Sequence, residues 1–92
     1  MIVSFRDAET EQLFHREVSR RWANIARVAL RRLRLLHRAQ SLADLRVPPN
    51  NRLEALKGDR EGQFSIRVND QFRICFRWRN GDAYDVEWTD DH

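Results

Sequence analysis

The chain has 92 residues, which is enough for one domain with a single small core. Hydrophobic residues make up 41% and charged residues 34%, so we expect a folded protein with a heavily ionised surface rather than a disordered chain. The net charge is only +3, but of the 17 basic residues only Lys57 is a lysine. Arginine suits bidentate contact with phosphate; a GC-rich genome is a strong explanation for the total arginine count but a weaker one for the placement of arginines on one strand face.

Nothing in the sequence indicates export or membrane insertion. No apolar run is long enough to span a bilayer, and the N-terminus has neither a charged lead nor a small-residue cleavage site. Cys75 is the only cysteine, so no disulfide can form within the chain, which fits a reducing compartment. We therefore expect a soluble cytoplasmic protein that makes no membrane contact.

The first half of the chain carries helical periodicity. The predicted elements are a strand at residues 2–5, a helix at about 8–18, a break at 20–22, a second helix at about 24–37 and a helical turn at 41–45. Ser41 is the expected cap of that turn, with Asp44 in the place of a capping-box acid. Pro48 and Pro49 then end the helical half.

From residue 52 the period of the apolar residues changes to two. Strands are predicted at 52–56, 63–68, 71–79 and 83–88, with tight hairpins at Asn69-Asp70 and Asn80-Gly81. We therefore expect one α+β domain over residues 1–92: an N-terminal strand, two helices and an antiparallel meander, with the helices packed on one sheet face.

The same alternation separates the two faces of the central strands. The expected core face carries Phe64, Ile66, Val68, Phe72, Ile74, Phe76 and Trp78. The other face carries Ser65, Arg67, Arg73, Cys75 and Arg77. Rigidly held guanidinium groups suit phosphate chemistry. For Arg67 and Arg77, a surface ion pair with Asp85 or Glu87 is an equally good explanation, whereas for Arg73 we favour a functional role.

Three sequence blocks carry a resemblance to a known family. They are LKGDREG at 56–62, SIRVNDQFRICF at 65–76 and the Asp-x-His ending at His92. Together they resemble the HigB branch of the RelE-type toxins of bacterial toxin–antitoxin systems, and the similarity covers essentially the whole chain. The resemblance implies a RelE-like fold and a small ribonuclease that cuts messenger RNA on the ribosome.

The resemblance also implies roles for individual residues. Arg73 matches a family arginine in a WRI/FRI motif and is the candidate for stabilising the charged transition state, while Asp90 and His92 form the reactive pair. Glu54 stands where the family commonly has histidine and is a candidate base. Asp91 replaces a tyrosine that can stack on a base. The remaining candidates for contact with RNA phosphates or the RNA chain are Lys57, Arg60, Arg67, Arg77 and Asp91.

We expect no cofactor and no metal, because His15, His37 and Cys75 lack metal-ligand spacing and no CxxC, HExxH or P-loop motif is present. The implied partners are a HigA-type helix-turn-helix antitoxin and the ribosome, through ribosomal RNA and the messenger RNA in its A site. Operator DNA would be reached only through the antitoxin complex.

The basic side of the second helix is the expected surface for ribosomal RNA and for an acidic antitoxin segment. It carries Arg27, Arg31, Arg34 and Arg38. Two alternatives stay open at this point. One is a non-enzymatic toxin on the same fold that inhibits a protein such as gyrase. The other is an RNA-binding accessory protein, for which the basic helix would suffice.

Overall fold

The computed structural model describes residues 1–17 and 23–90, which form two helices beside a four-stranded antiparallel sheet. The helices are α1 (Ala8–Arg16) and α2 (Ala23–Arg38), and the strands are β1 (Glu54–Ala55), β2 (Phe64–Arg67), β3 (Phe72–Arg79) and β4 (Asp82–Asp90). No helix in these two ranges is long and apolar enough to cross a membrane. The expected α+β architecture is confirmed.

Helix α1 has a defined start and end. The Asp7 carboxylate accepts a hydrogen bond from the Thr10 backbone N–H at 2.7 Å, which satisfies one of the free donors of the first turn. At the other end Glu17 has φ of 57°, in the left-handed region that ends helices. Helix α1 therefore ends at Arg16 instead of continuing toward Val18. Val18 and the break predicted at 20–22 lie outside the described residues.

Helix α2 covers the sheet with the apolar stripe that its sequence predicts. Ala29, Leu33 and Leu36 are buried, and Ile25 and Ala26 are partly buried. The rest of the helix is basic and contains no acidic residue; its arginines are Arg27, Arg31, Arg32, Arg34 and Arg38. The helix thus presents an apolar side to the core and a positively charged side away from it.

The connection between α2 and the sheet is a pair of 3₁₀ turns, Leu42–Arg46 and Pro49–Asn51. The predicted cap is confirmed, because the Asp44 carboxylate accepts from the Ser41 backbone N–H at 3.2 Å. The strand predicted at 52–56 shrinks to the two residues of β1. The cause is the second 3₁₀ turn, because the residue that follows it, Arg52, has φ of 47°, a conformation no strand adopts.

The sheet has the strand order β1-β2-β3-β4, so each strand pairs with its neighbour in sequence. Both predicted hairpins are present. Asn80 and Gly81 have φ of 52° and 82°, the combination a two-residue hairpin needs to match the strand twist. In the β2–β3 connection the Asn69 side-chain oxygen accepts from the Phe72 backbone N–H at 2.8 Å.

The N-terminal segment does not form the regular strand that was predicted. It runs parallel to β4 but bridges it only at Ile2, opposite Ala83, and at Phe5, opposite Val86. Between these points β4 carries a bulge at Asp85, whose φ is 53°. A bulge interrupts the regular spacing of ladder hydrogen bonds, so the segment cannot pair continuously along it.

The core lies between the helices and one face of the sheet. Its largest fully buried side chains include Leu13, Leu33, Leu36, Ile66, Phe72, Ile74, Phe76, Val86 and Trp88. The expected core face is therefore confirmed, with Phe64 and Trp78 only partly buried at the margin of the core.

The opposite face is only partly exposed to solvent. Ser65 and Cys75 are buried there, at 3% and 0% exposure. Segment 57–63 folds back over the middle of this face, where Arg60 contacts Glu87, the cross-strand neighbour of Cys75. Ser65 and Cys75 therefore lie on the predicted face, but a loop covers the strands at this point and buries them.

Candidate functional site

The register of the sheet brings the predicted arginines into one row. Arg67 on β2 lies opposite Arg73 on β3, and Arg73 lies opposite Thr89 on β4. Residues directly opposite each other project on the same side of a sheet, with neighbouring strands about 4.8 Å apart. These three side chains therefore share the face turned away from the core, with Arg73 in the middle of the row.

Arg73 is held firmly for an arginine. Its backbone belongs to β3, which is paired on both sides, and its side chain is half-buried. One terminal nitrogen donates to the Ser65 hydroxyl at 3.3 Å, and that serine is itself buried. A guanidinium fixed by a strand and a buried neighbour is preorganised to meet developing negative charge.

Arg73 lines two adjoining cavities on this face. The first has a volume of about 120 Å³. It is lined by Arg52, Glu54, Ser65, Arg67, Asn69, Asp70, Phe72 and Arg73. Glu54 on β1 is exposed, and its cross-strand partner is Ser65. The first cavity thus combines the candidate base with two of the predicted arginines.

The second cavity lies on the other side of Arg73 and has a volume of about 220 Å³. It is lined by Leu56, Lys57, Arg60, Arg73, Thr89 and Asp90. The exposed carboxylate of Asp90 accepts a hydrogen bond from the Gln71 side chain at 3.2 Å. Together the two cavities form a cleft that groups Glu54, Lys57, Arg60, Arg67, Arg73 and Asp90.

The segment that carries Lys57 is a tight turn. Gly58 has φ of 65°, which suits glycine, and Gly58–Arg60 forms a single 3₁₀ turn. The Leu56 backbone N–H donates to the Gln63 carbonyl at 2.9 Å, which closes the segment at its base. This backbone geometry is how the LKGDREG block brings a lysine to the row of arginines.

Not every predicted residue belongs to the cleft. Arg77 lines neither cavity; its Nε lies 3.7 Å from the Asp85 carboxylate, the ion pair expected as the alternative to phosphate binding. Arg67 is also paired, but with Asp70 of its own hairpin rather than with β4. Asp91 and His92 lie outside the described residues.

Arg52, Thr89 and Arg32 lie near the cleft but were not among the predicted site residues; Arg52 lines the first cavity. Thr89 lines the second cavity, and its place one residue before Asp90 on the sheet face away from the core was the available signal. Arg32 of α2 donates from Nε to the Arg67 carbonyl at 3.1 Å. Burial, and then the positive charges of Arg31 and Arg67, lower the pKa of Arg32. Positive charge is therefore concentrated where α2 meets the end of β2.

Potential metal ligands do not converge in the described ranges: no three His, Cys, Asp or Glu side chains within 1–17 and 23–90 group as a metal site would require.

The sequence matches the family model of the RelE-like toxin of the type II toxin–antitoxin system HigB over residues 3–92. The chain belongs to the HigB family of RelE-like toxins. It is 38% identical to Toxin HigB-1 of Vibrio cholerae serotype O1 over 100% of this chain and 98% of that protein. It is also 51% identical to Endoribonuclease HigB of Proteus vulgaris over 41 residues, 45% of each chain.

An uncharacterised protein of Haemophilus influenzae is 33% identical over 70 residues, covering 76% of this chain and 68% of that protein. The predicted family is thus confirmed along essentially the whole length. Membership in a type II system gives this toxin an antitoxin partner.

Proposed function

We propose that this toxin is an endoribonuclease that cleaves messenger RNA on the ribosome, without a metal ion, and so arrests translation. The proposal is based on the position of Arg73 between two cavities. One cavity contains Glu54 and Arg67, and the other contains Lys57 and Asp90. An anionic phosphate centred on Arg73 would have a cation for a flanking phosphate and a carboxylate on each side. The Proteus vulgaris relative is named as an endoribonuclease.

The chemistry divides into three tasks. The 2′-hydroxyl must lose its proton, the phosphorane formed by attack of the 2′-oxygen must be stabilised, and the departing 5′-oxygen must gain a proton. We assign the first task to Glu54, the second to Arg73 and the third to His92, with Asp90 as the carboxylate that tunes this histidine. Lys57 and Arg67 hold neighbouring phosphates. The P–O5′ bond breaks, leaving a 2′,3′-cyclic phosphate on one fragment and a 5′-hydroxyl on the other.

We propose that the toxin acts in the cytoplasm, where it meets ribosomes. The exposed arginines of α2, including Arg27, Arg31 and Arg38, supply positive charge for ribosomal RNA. Within the described residues these three have no carboxylate partner, whereas Arg34 pairs with Glu17. We propose a HigA-type helix-turn-helix antitoxin as the neutralising partner, with operator DNA bound only through the antitoxin complex.

The test is to map RNA 5′-ends in cells that express the toxin, the Arg73→Ala variant or an Arg79→Ala control. Arg79 lies on the same strand, is exposed and stacks over Tyr84 with 4.8 Å from its guanidinium carbon to the ring centre. Removing one preorganised electrostatic donor costs on the order of 10²–10³ in rate. We therefore expect Arg73→Ala to abolish cleavage and toxicity, and Arg79→Ala to retain both.

The chemistry of the new ends tests the mechanism separately. Ends with a 5′-hydroxyl agree with attack by the 2′-oxygen. Ends with a 5′-phosphate would contradict it, and a folded Arg73→Ala protein that cuts at the normal rate would remove Arg73 from the mechanism. Growth arrest without any new RNA ends would favour a toxin that acts on a protein target.

A further inference from the structure

One carboxylate on the cleft face is bound by two arginines from other parts of the chain. Glu87 on β4 has a side chain only 18% exposed. One of its oxygens, Oε2, lies 3.3 Å from a terminal nitrogen of Arg60 and 3.7 Å from Nε of Arg6. Glu87 therefore joins three elements: strand β4, the N-terminal segment and the loop that covers the sheet.

Arg60 connects this carboxylate to the loop. The same terminal nitrogen that meets Glu87 also donates to the side-chain oxygen of Gln63 at 3.1 Å, and Gln63 is buried. The Gln63 backbone N–H in turn donates to the Arg60 carbonyl at 3.0 Å. The 57–63 loop thus has an internal hydrogen-bonded turn, and Glu87 ties that turn to β4.

We propose that Glu87 is a positioning residue: through Arg60 it holds the 57–63 loop on the sheet, so that Lys57 lies beside Arg73. The effect of Glu87 on cleavage rests on the proposed ribonuclease function, whereas its effect on the position of the loop does not. It also changes the role of Arg60. Since the Arg60 guanidinium is engaged by Glu87 and Gln63, it secures the loop instead of binding an RNA phosphate.

Two features make this contact more consequential than an ordinary surface ion pair. Both partners are shielded, with the Arg60 side chain 35% exposed and that of Glu87 18% exposed, so water screens the pair less than it screens exposed charges. In addition, the backbone hydrogen bonds of the loop's own turn lie within segment 56–63, so a side-chain contact such as that of Arg60 with Glu87 is needed to hold the loop against β4.

The first experiment measures hydrogen exchange in the free protein, without RNA or ribosomes. The variant is Glu87→Gln, and the controls are Asp85→Asn and Arg6→Ala. Asp85→Asn removes a charge from the same strand, at a positive-φ position that asparagine tolerates. Arg6→Ala removes the other partner of Glu87. We expect Glu87→Gln alone to reduce protection of the Leu56 and Gln63 amides by about tenfold or more.

The second experiment measures cleavage of ribosome-bound messenger RNA by Glu87→Gln, by Arg60→Ala and by the double variant. A misplacement of about 1 Å can cost roughly 10²-fold in rate. We expect kcat to fall about tenfold or more in each single variant, with KM unchanged and no further loss in the double variant. Asp85→Asn is expected to retain kcat, and thermal melting confirms that each variant is folded.

The outcomes separate this inference from the proposed function. Unchanged amide protection in Glu87→Gln would overturn the positioning role. Additive losses of kcat in the double variant would overturn it as well. The same holds if Glu87→Gln lowers KM and Asp85→Asn lowers it equally. If the wild-type protein cuts no RNA, the proposed function fails, and the exchange measurement still decides whether Glu87 holds the loop.

Discussion

Glu54 is the cleft carboxylate whose role depends most on its surroundings. It is exposed on the two-residue strand β1 and shares a cavity with Arg67 and Arg73. If it takes the 2′-hydroxyl proton, Glu54→Gln should lower the cleavage rate by on the order of 10². The pH profile of the cleavage rate should change as well, because the variant has no carboxylate at this position to accept a proton. Single-turnover cleavage over a range of pH measures both effects.

Glu61→Gln is the matched control for that measurement. Glu61 is exposed, lies at the end of the Gly58–Arg60 turn and lines neither cavity. Its replacement should leave both the rate and the pH profile as they are in the wild type. An unchanged pH profile in Glu54→Gln would instead assign proton removal to another group.

Individual residues differ in how far the sequence could predict them. Arg67 and Arg73 follow from alternation along two paired strands, because the period of a strand assigns each side chain to a face. The same rule assigned Ser65 and Cys75 to the correct face but could not predict their burial, since alternation says nothing about a loop that folds over the strands. The candidate roles of Glu54, Asp90 and His92 came from the family resemblance, because carboxylates and a histidine near a chain end are common without any function.

At the scale of elements, α1 completes the hydrogen bonding of β4 where the N-terminal segment no longer pairs with it. The hydroxyl of Thr10, which is 1% exposed, accepts from the buried Trp88 backbone N–H at 3.0 Å. Thr10→Val keeps the shape but leaves this donor without its acceptor. We expect a loss of about 1–3 kcal/mol in the free energy of unfolding, measured by urea denaturation.

Thr10→Ser is the corresponding control, since it retains the hydroxyl and removes only a methyl group. It should lose clearly less stability than Thr10→Val. Equal losses in the two variants would mean that packing of the methyl group, rather than the hydrogen bond to Trp88, accounts for the contribution of Thr10.

The elements that the sequence predicted well are those with a strong local signal. Helix α2 has a long apolar period, and the Asn80-Gly81 turn demands residues that tolerate positive φ. The poorly predicted elements depend on distant partners. The N-terminal segment is interrupted by a bulge in β4, almost the whole chain away, and β1 is shortened by the left-handed backbone of Arg52.

Across the whole molecule, charge is unevenly distributed. Arginines are concentrated in α2, whereas five acidic residues lie near the end of the chain, Asp82, Asp85, Glu87, Asp90 and Asp91. The exposed side of α2 is strongly basic, and the cleft lies on the far face of the sheet. We propose that the antitoxin binds the helical side and prevents entry into the ribosome, leaving the cleft open. Hydrogen exchange in the toxin–antitoxin complex should then show new protection within residues 8–38.

Protection of Arg67, Arg73 and the end of the chain, with no change in the helices, would show that the antitoxin occupies the cleft directly. Measuring the same amides for the toxin bound to ribosomes provides the comparison. Because both partners are expected to use the basic helix, protection of α2 in the two complexes should overlap.

The two edges of the sheet bear on what happens when the toxin is released from its antitoxin. A long open strand edge invites other chains to pair with it and aggregate. Here β1 offers only two residues, bounded by the left-handed Arg52, and the other edge is covered by a segment that bridges β4 at just two points beside a bulge. Neither edge provides a regular template for another strand. We therefore expect the released toxin to resist edge-to-edge aggregation with other chains.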